Sequence, residues 1–558
     1  MPSLKRLFYY SLILTALIPF CRADYARAQS PETKSKGTGS ISGRVTIGGK
    51  GVFGIIVAAI GTDRSSRRPT QTTTDSEGRY RLAGLAASTY LVTVLAPALV
   101  NAEPNNYSPY GGKTILLSDG EAVENVDLRL VRGGVITGRI TDEDSKPAVE
   151  ERVILELVPD KSGRGGADIS RMNVDMYQTD DRGVYRVYGL PAGRYKVSVG
   201  SETGGFPRNS SGRGYFAKTF HGDTTDAANA SIVELSEGSE AKDIDIRLGH
   251  RGATFSVSGR VVNSENGEPI AGVRPTYGNV SKTDPSSGVF IGGLPTNSRG
   301  EFRLDRLEPG RYTIYAASRY EGADFYSEPM VIEVVDRDIT NLEIKAIRGL
   351  IISGVVVPES DSSRNTLAQL GQLRLSVTLR TSNPPTQMTG SAAIAPDGSF
   401  QVSGLAPGKA NLYLYSPQNS RKFTVTRVER DGVDQTQGFD IQAGTNLSNF
   451  RIFVTHGTGV IRGTVKFENG SAPSNTNIYV GIRKAGAGGA FERGITTDVR
   501  GRFLITDVPA GNYEITLSQG YTAPARQPPQ LKQFVTVADD AEVEVVFTVD
   551  LKPKDGGP

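Results

Sequence analysis

This sequence predicts an all-β protein: five tandem β-sandwich domains in a semi-rigid string behind an N-terminal signal peptide. Three observations lead there. A short glycine-centred signature recurs about every hundred residues, each recurrence is followed by alternating apolar and polar residues, and no amphipathic run is long enough for a major helix. Composition agrees: 65 Gly and 30 Pro among 558 residues are too few and too aperiodic for collagen or a low-complexity chain, and 37% hydrophobic residues are enough for packed cores. At roughly 100–200 residues per domain, the length implies about three to five domains.

The first element is a targeting segment, residues 1–28. Lys5 and Arg6 precede an apolar run from Leu7 to Phe20, and Ala26-Arg27-Ala28 supplies the small-x-small pattern read by signal peptidase. The apolar run falls short of the roughly 20 residues that span a bilayer. Cys21 follows Ile18-Pro19-Phe20, and the bulky Phe stands where a lipoprotein signal needs a small residue. With cleavage after Ala28 no cysteine remains, which excludes disulfides, thiolate metal sites and a Cys nucleophile. The expected destination is the periplasm, the outer membrane or the extracellular space, with no integral membrane segment after cleavage. Residues 1–28 carry Lys5, Arg6, Arg22 and Arg27 against Asp24, so the remainder balances at 59 basic and 59 acidic residues. Such a balance predicts no general attraction to nucleic acid or anionic lipid. Arg64, Arg67 and Arg68 read as a solvated loop.

The repeat has two halves. The opening strands are Ile41-Ser42-Gly43-Arg44-Val45, Ile136-Thr137-Gly138-Arg139-Ile140, Val257-Ser258-Gly259-Arg260-Val261, Ile352-Ser353-Gly354-Val355-Val356 and Ile461-Arg462-Gly463-Thr464-Val465. Each is followed by a turn and strand centred on Gly78 and Tyr80, Gly183 and Tyr185, Gly300 and Phe302, Gly398 and Phe400, or Gly501 and Phe503. A second turn then leads to Tyr90, Tyr195, Tyr312, Ala410 or Tyr513. Asp or Asn opens the first turn by bonding its own backbone, and the Gly three residues on supplies positive φ, which predicts a hairpin. Ala86-Ala87-Ser88, in place of the usual Pro-Gly or Ala-Gly turn, and Ala410, in place of Tyr, predict looser packing in the first and fourth units. Closing strands such as Val126–Leu130 and Phe450–Val454 leave only Arg132-Gly133-Gly134, 249–252, Arg348-Gly349 and His456-Gly457 as connectors. The expected sandwiches span 38–132, 133–250, 253–347, 348–455 and 457–552. Ser162 to Gly166 and Thr203 to Gly214 read as loops of the larger second unit.

Together these motifs resemble the carboxypeptidase regulatory-like domain in five copies covering nearly all of residues 38–550. That resemblance implies a transthyretin-like Greek-key (prealbumin/Ig-like) β-sandwich, itself non-catalytic and usually found beside an enzyme, a transporter barrel or a surface protein. Phe220-His221-Gly222-Asp223-Thr224-Thr225-Asp226, with Ala230, Ile232, Leu235 and Gly238, looks like the tail seen in multi-copy exported proteins of soil bacteria.

No catalytic, cofactor or metal site is expected from these residues. His221, His250 and His456 lie far apart with no ligand spacing. His221 near Asp223 and Asp226, and Asp243 with Asp245 on one strand face, could attract a cation, but turn formation and a solvated mixed-charge face account for them. Gly457-Thr458-Gly459 enters a strand rather than a helix and so cannot cradle a phosphate. No nucleophile elbow or H-E-x-x-H motif is present. For sugar stacking there is no Trp, which leaves Tyr107, Tyr110, Tyr215, Phe216, Tyr320, Phe325 and Tyr326 near long connections. Asn125, Asn341 and Asn449 precede last strands, but nothing places a Lys opposite them for an isopeptide crosslink. The expectation is therefore a non-enzymatic scaffold or spacer at the cell envelope with a protein or glycan partner. The alternatives are a carbohydrate-binding protein for polysaccharide capture and an accessory subunit of an envelope enzyme or transporter.

Overall fold

A computed structural model describes residues 38–62, 69–102, 111–159, 177–201, 214–279, 290–316, 324–359, 369–382, 385–416, 423–469, 478–486, 493–519 and 531–550. The segments called signal peptide, basic loop (64–68) and long second-unit loops (162–166 and most of 203–214) lie outside these residues, as do Tyr107, Tyr110 and Tyr320. The described chain is nearly all β. Its buried apolar residues fall into five hydrophobic clusters, each between two facing sheets.

The third unit shows the pattern. One sheet has the order Glu301–Leu307, Phe255–Asn263, Ile339–Arg348, Phe325–Ser327; the other has Phe290–Gly292, Pro275–Asn279, Gly310–Ala316, Met330–Val334. The opening strand pairs antiparallel with the strand after the first turn and parallel with the closing strand, which ties the two ends of the unit together. The same parallel closure joins Val45 to Leu128, Ile140 to Ile246, Val356 to Ile452 and Val465 to Phe547. Residues two before the opening glycine (Ile41, Ile136, Val257, Ile352, Ile461) are fully buried. Each such side chain contributes about 1.5–3 kcal/mol through burial.

Both motif turns cross between sheets and are not hairpins. Thr70–Thr73 belongs to one sheet of the first unit and Arg79–Leu85 to the other, and the next strand, Ser88–Val94, returns to the first. The expectation fails because the turn glycine is tied to a different strand from those it joins. The carbonyls of Gly78, Gly183, Gly300, Gly398 and Gly501 accept the amides of Val45, Ile140, Val261, Val356 and Val465, each at 2.8 Å. At φ between 69° and 84°, these five positions favour glycine. Asp75, Asp180, Asn297 and Asp498 each accept two turn amides at 2.8–3.0 Å. Buried threonines just before three of them, Thr74, Thr179 and Thr296, bond the backbone on both sides of the adjoining loop.

The opening glycine answers to a second constraint. Asn125, Asp243, Asn341 and Asn449 take left-handed φ of 58–65°. The carbonyl that follows each is pressed against the opening strand: a Cβ on Gly43, Gly138, Gly259 or Gly354 would stand 1.7–2.2 Å from it. In the first two units Tyr80 and Tyr185 donate their hydroxyls to those carbonyls at 2.5 and 2.6 Å.

The expected looseness of the first and fourth units is not found. Tyr90 Oη still donates to Ala86 O at 3.0 Å, as Tyr195, Tyr312 and Tyr513 do to the carbonyl four residues back. In the fourth unit Ala410 is fully buried opposite Phe439, whereas Tyr90, Tyr195, Tyr312 and Tyr513 face Ile115, Val233, Ile332 and Val535. The aromatic ring has moved to the neighbouring strand, where it packs on Phe450 with centroids 4.7 Å apart.

Gly259→Ala forces the closing strand away from the opening strand. It should destabilise the third unit by about 1–3 kcal/mol, read as faster amide exchange in Phe255–Asn263 with the fifth unit unchanged. Ala410→Tyr and Phe439→Val should each cost about 1–3 kcal/mol, while the double variant recovers at least about 1 kcal/mol of the sum in chemical denaturation of the fourth unit.

Candidate interaction surfaces

The junctions are built rather than slack. Gly133 N–H donates to Ala98 O at 3.0 Å, and Gly349 N–H donates to Asp324 O at 2.6 Å. A Cβ on Gly133, Gly349 or Gly457 would strike backbone of the following unit at Gly189, Gly404 or Asp507 within 2.4 Å. Between the second and third units Ser201 Oγ donates to the buried Glu308 carboxylate at 2.5 Å. Tyr315 and Tyr326 of the third unit belong to the same buried cluster as the fourth unit's core.

The structure separates the residues considered for chemistry. His221 Nδ1 lies 2.8 Å from Asp245 O, Asp223 accepts the Arg247 amide at 2.7 Å, and Asp226 caps the Ala228 amide at 2.9 Å. Asp243 and Asp245 do not share a strand face, because Asp243 is the left-handed bulge residue and Asp245 accepts the Arg139 amide at 2.7 Å. Asp127 does the same for Arg44 at 2.9 Å in the first unit. Among the described residues no group of three His, Cys, Asp or Glu side chains could hold a metal ion. His250 pairs with Glu143 at 2.6 Å, a hydrogen bond that raises its pKa, and His456 packs edge-on against Phe423. Burial, then the nearby Asp127 or Asp245, pushes the Tyr80 and Tyr185 hydroxyls up, which keeps them neutral donors. Asn125, Asn341 and Asn449 serve as bulge residues, and Asn449 Nδ2 donates to Asp431 at 2.9 Å.

Of the tyrosines proposed for sugar stacking, Tyr326 is buried and Tyr215 is bridged to Gly252, while Phe216 is buried beneath the Arg251 guanidinium. A different pair is open. Tyr413 and Tyr415 are 56% and 44% exposed on one outer sheet face of the fourth unit. Ser376 and Ser391 extend the row of Tyr413, and Arg374 and Ala393 that of Tyr415. Sequence alone could not single them out, because in Leu412-Tyr413-Leu414-Tyr415 either alternate set could face the core.

A further surface joins the two ends of the described chain. The first turn of the fifth unit docks on the edge strand Lys113–Leu117 of the first. Val499 N–H donates to Thr114 O at 3.1 Å, and Leu116 N–H to Asp498 Oδ2 at 3.2 Å. Arg500 and Arg502 donate to Leu116 O at 2.5 and 2.8 Å and to Glu121 at 2.9 and 2.8 Å. The Asp498 side chain is fully buried there. Burial would raise the Glu121 pKa, but the Ser118 amide and the two guanidiniums outweigh it and hold the carboxyl at about 2.

The architecture is that of a multi-unit β-sandwich protein, and among the described residues no helix is long and apolar enough to cross a membrane. No protein-family profile matches the sequence. Colossin-A of Dictyostelium discoideum is 23% identical over 526 residues, and the match spans 84% of this chain but 4% of that protein. Among solved structures, a streptococcal ancillary pilin aligns over 55% of this chain and 98% of its own at 11% identity and a TM-score of 0.24. GBS52, a minor pilin of Streptococcus agalactiae, covers 38% of this chain and 99% of its own at 11% identity and 0.20. The Bacillus anthracis TIE protein covers 74% and 73% at 12% identity and 0.15. Scores this low define no common arrangement of units.

The docked turn yields a pH prediction. Because the folded-state pKa of Glu121 is depressed, its contribution to the contact is present above the ordinary carboxylate range and is lost as pH falls toward about 2. Carboxyl NMR should show Glu121 titrating near 2, and Arg500→Ser/Arg502→Ser should raise it, with the Ser118 amide still in place.

Proposed function

We propose that this chain is a non-catalytic scaffold or spacer, exported by its N-terminal segment to the cell envelope, and that its units are carboxypeptidase regulatory-like domains. The observation that carries the scaffold reading is the geometry of three junctions: Gly133, Gly349 and Gly457 are enclosed by the next unit, and the first two are also hydrogen-bonded to the unit before, which transmits orientation along the chain instead of letting these units tumble. The family reading rests on the turn glycine whose carbonyl accepts the opening strand's amide in all five copies, and export rests on residues 1–28. The partner is a protein or glycan of the envelope, with no role for nucleic acid. Rigid spacing predicts that the Gly133 and Gly349 amides exchange with solvent as slowly as core strand amides. Exchange at loop rates would remove this reading.

Polysaccharide capture is the second reading, favoured by the Tyr413 and Tyr415 face with its flanking Ser376, Ser391 and Arg374. Specific retention of the full chain on a polysaccharide panel, lost in Tyr413→Ala/Tyr415→Ala and indifferent to chelator, would establish it. Failure of the folded chain to bind any polysaccharide leaves the scaffold reading alone.

A further inference from the structure

The contact between the first and fifth units is written into residues that the other units do not carry. The first turn has cations at both flanking positions only in the fifth unit, Arg500 and Arg502; the corresponding pairs are Glu77 and Arg79, Arg182 and Val184, Arg299 and Glu301, and Asp397 and Ser399. The acceptor is equally particular. Glu121 corresponds to Ser239, Asp338, Thr445 and Ala541, and the one other acid, Asp338, is engaged by the Ser256 amide at 2.8 Å. The docked turn also occupies backbone groups of Thr114 and Leu116 that face outward from an edge strand, a position otherwise open to pairing with another chain.

The two surfaces differ, so the contact is heterologous: it closes a ring within one chain, and the same geometry can join the fifth unit of one copy to the first unit of the next. Its polar groups favour exchange over permanent closure, since Glu121, Arg500 and Arg502 keep 23–31% of their side-chain surface in water. We propose that this contact is a self-recognition clasp whose partner is a second copy of this chain, and that exchange of the clasp between copies links chains head to tail. In dilute solution closure within one chain prevails, because the built junctions already hold its two ends near each other.

Complementary charge reversal tests this with full-length chains. Glu121→Arg and Arg500→Glu/Arg502→Glu each set like charges across the clasp, so each alone should sediment as a monomer. Mixed in equal amounts at about 100 μM, they restore one native and one reversed clasp between two chains, and a species of twice the monomer mass should form. Failure of the mixture to associate overturns the proposal, as does self-association of either variant alone. Circular dichroism checks that both variants are folded. Should either reversal unfold its unit, the neutral variants Glu121→Gln and Arg500→Ser/Arg502→Ser decide on the wild-type background. Wild-type dimers formed at high protein concentration should fall at least tenfold in both, and dimers that survive them refute the clasp.

Discussion

Every unit depends on one close approach, that of the first strand to the last. The two run parallel, which no hairpin can achieve, and the chain between them must cross to the facing sheet and return more than once before they meet. In four units the meeting is set by a left-handed Asn or Asp that turns the following carbonyl onto the opening glycine. Glycine stands there because a side chain would occupy the same space as the carbonyl. The fifth unit reaches the same closure with a regular ladder from Val460 to Glu468, and Gly463 instead makes room for the Phe503 ring.

Variation among the units is compensated locally. Tyr80 and Tyr185 bond the bulge carbonyl, whereas the Phe residues of the other three units fill the space without a hydroxyl. The Tyr-to-aliphatic pair of four units becomes an Ala-to-Phe pair in the fourth, which conserves volume across two strands. A missing motif residue is therefore a poor guide to loose packing when its replacement stands across the sheet. The same holds for charge: Asp245 looks like half of a cation site in sequence and serves in the fold as an acceptor for a strand amide.

Much of this was legible beforehand. The five copies, the all-β class, the Asp and Asn turn openers and the positive-φ glycines all follow from residues within a few positions of one another, whose backbone preferences are local. The buried threonines before the turns were equally visible in Thr74-Asp75, Thr179-Asp180 and Thr296-Asn297, and recurrence alone would have marked them. The chemistry of the turn is local but its destination is not: Asp75 and Gly78 specify a bend of the chain, and a backbone bond to a strand some thirty residues earlier decides that the bend crosses sheets.

The sequence by itself determined the number of units, their strand periodicity and the residues that bend the chain, because these are short-range steric and hydrogen-bonding preferences. Only the tertiary structure decided which alternate set of Leu412–Tyr415 faces outward, that Asn125 and its counterparts are bulge residues, and that a turn near residue 500 meets a strand near residue 115. Those outcomes rest on contacts between segments up to 386 positions apart, for which neighbouring residues carry no signal.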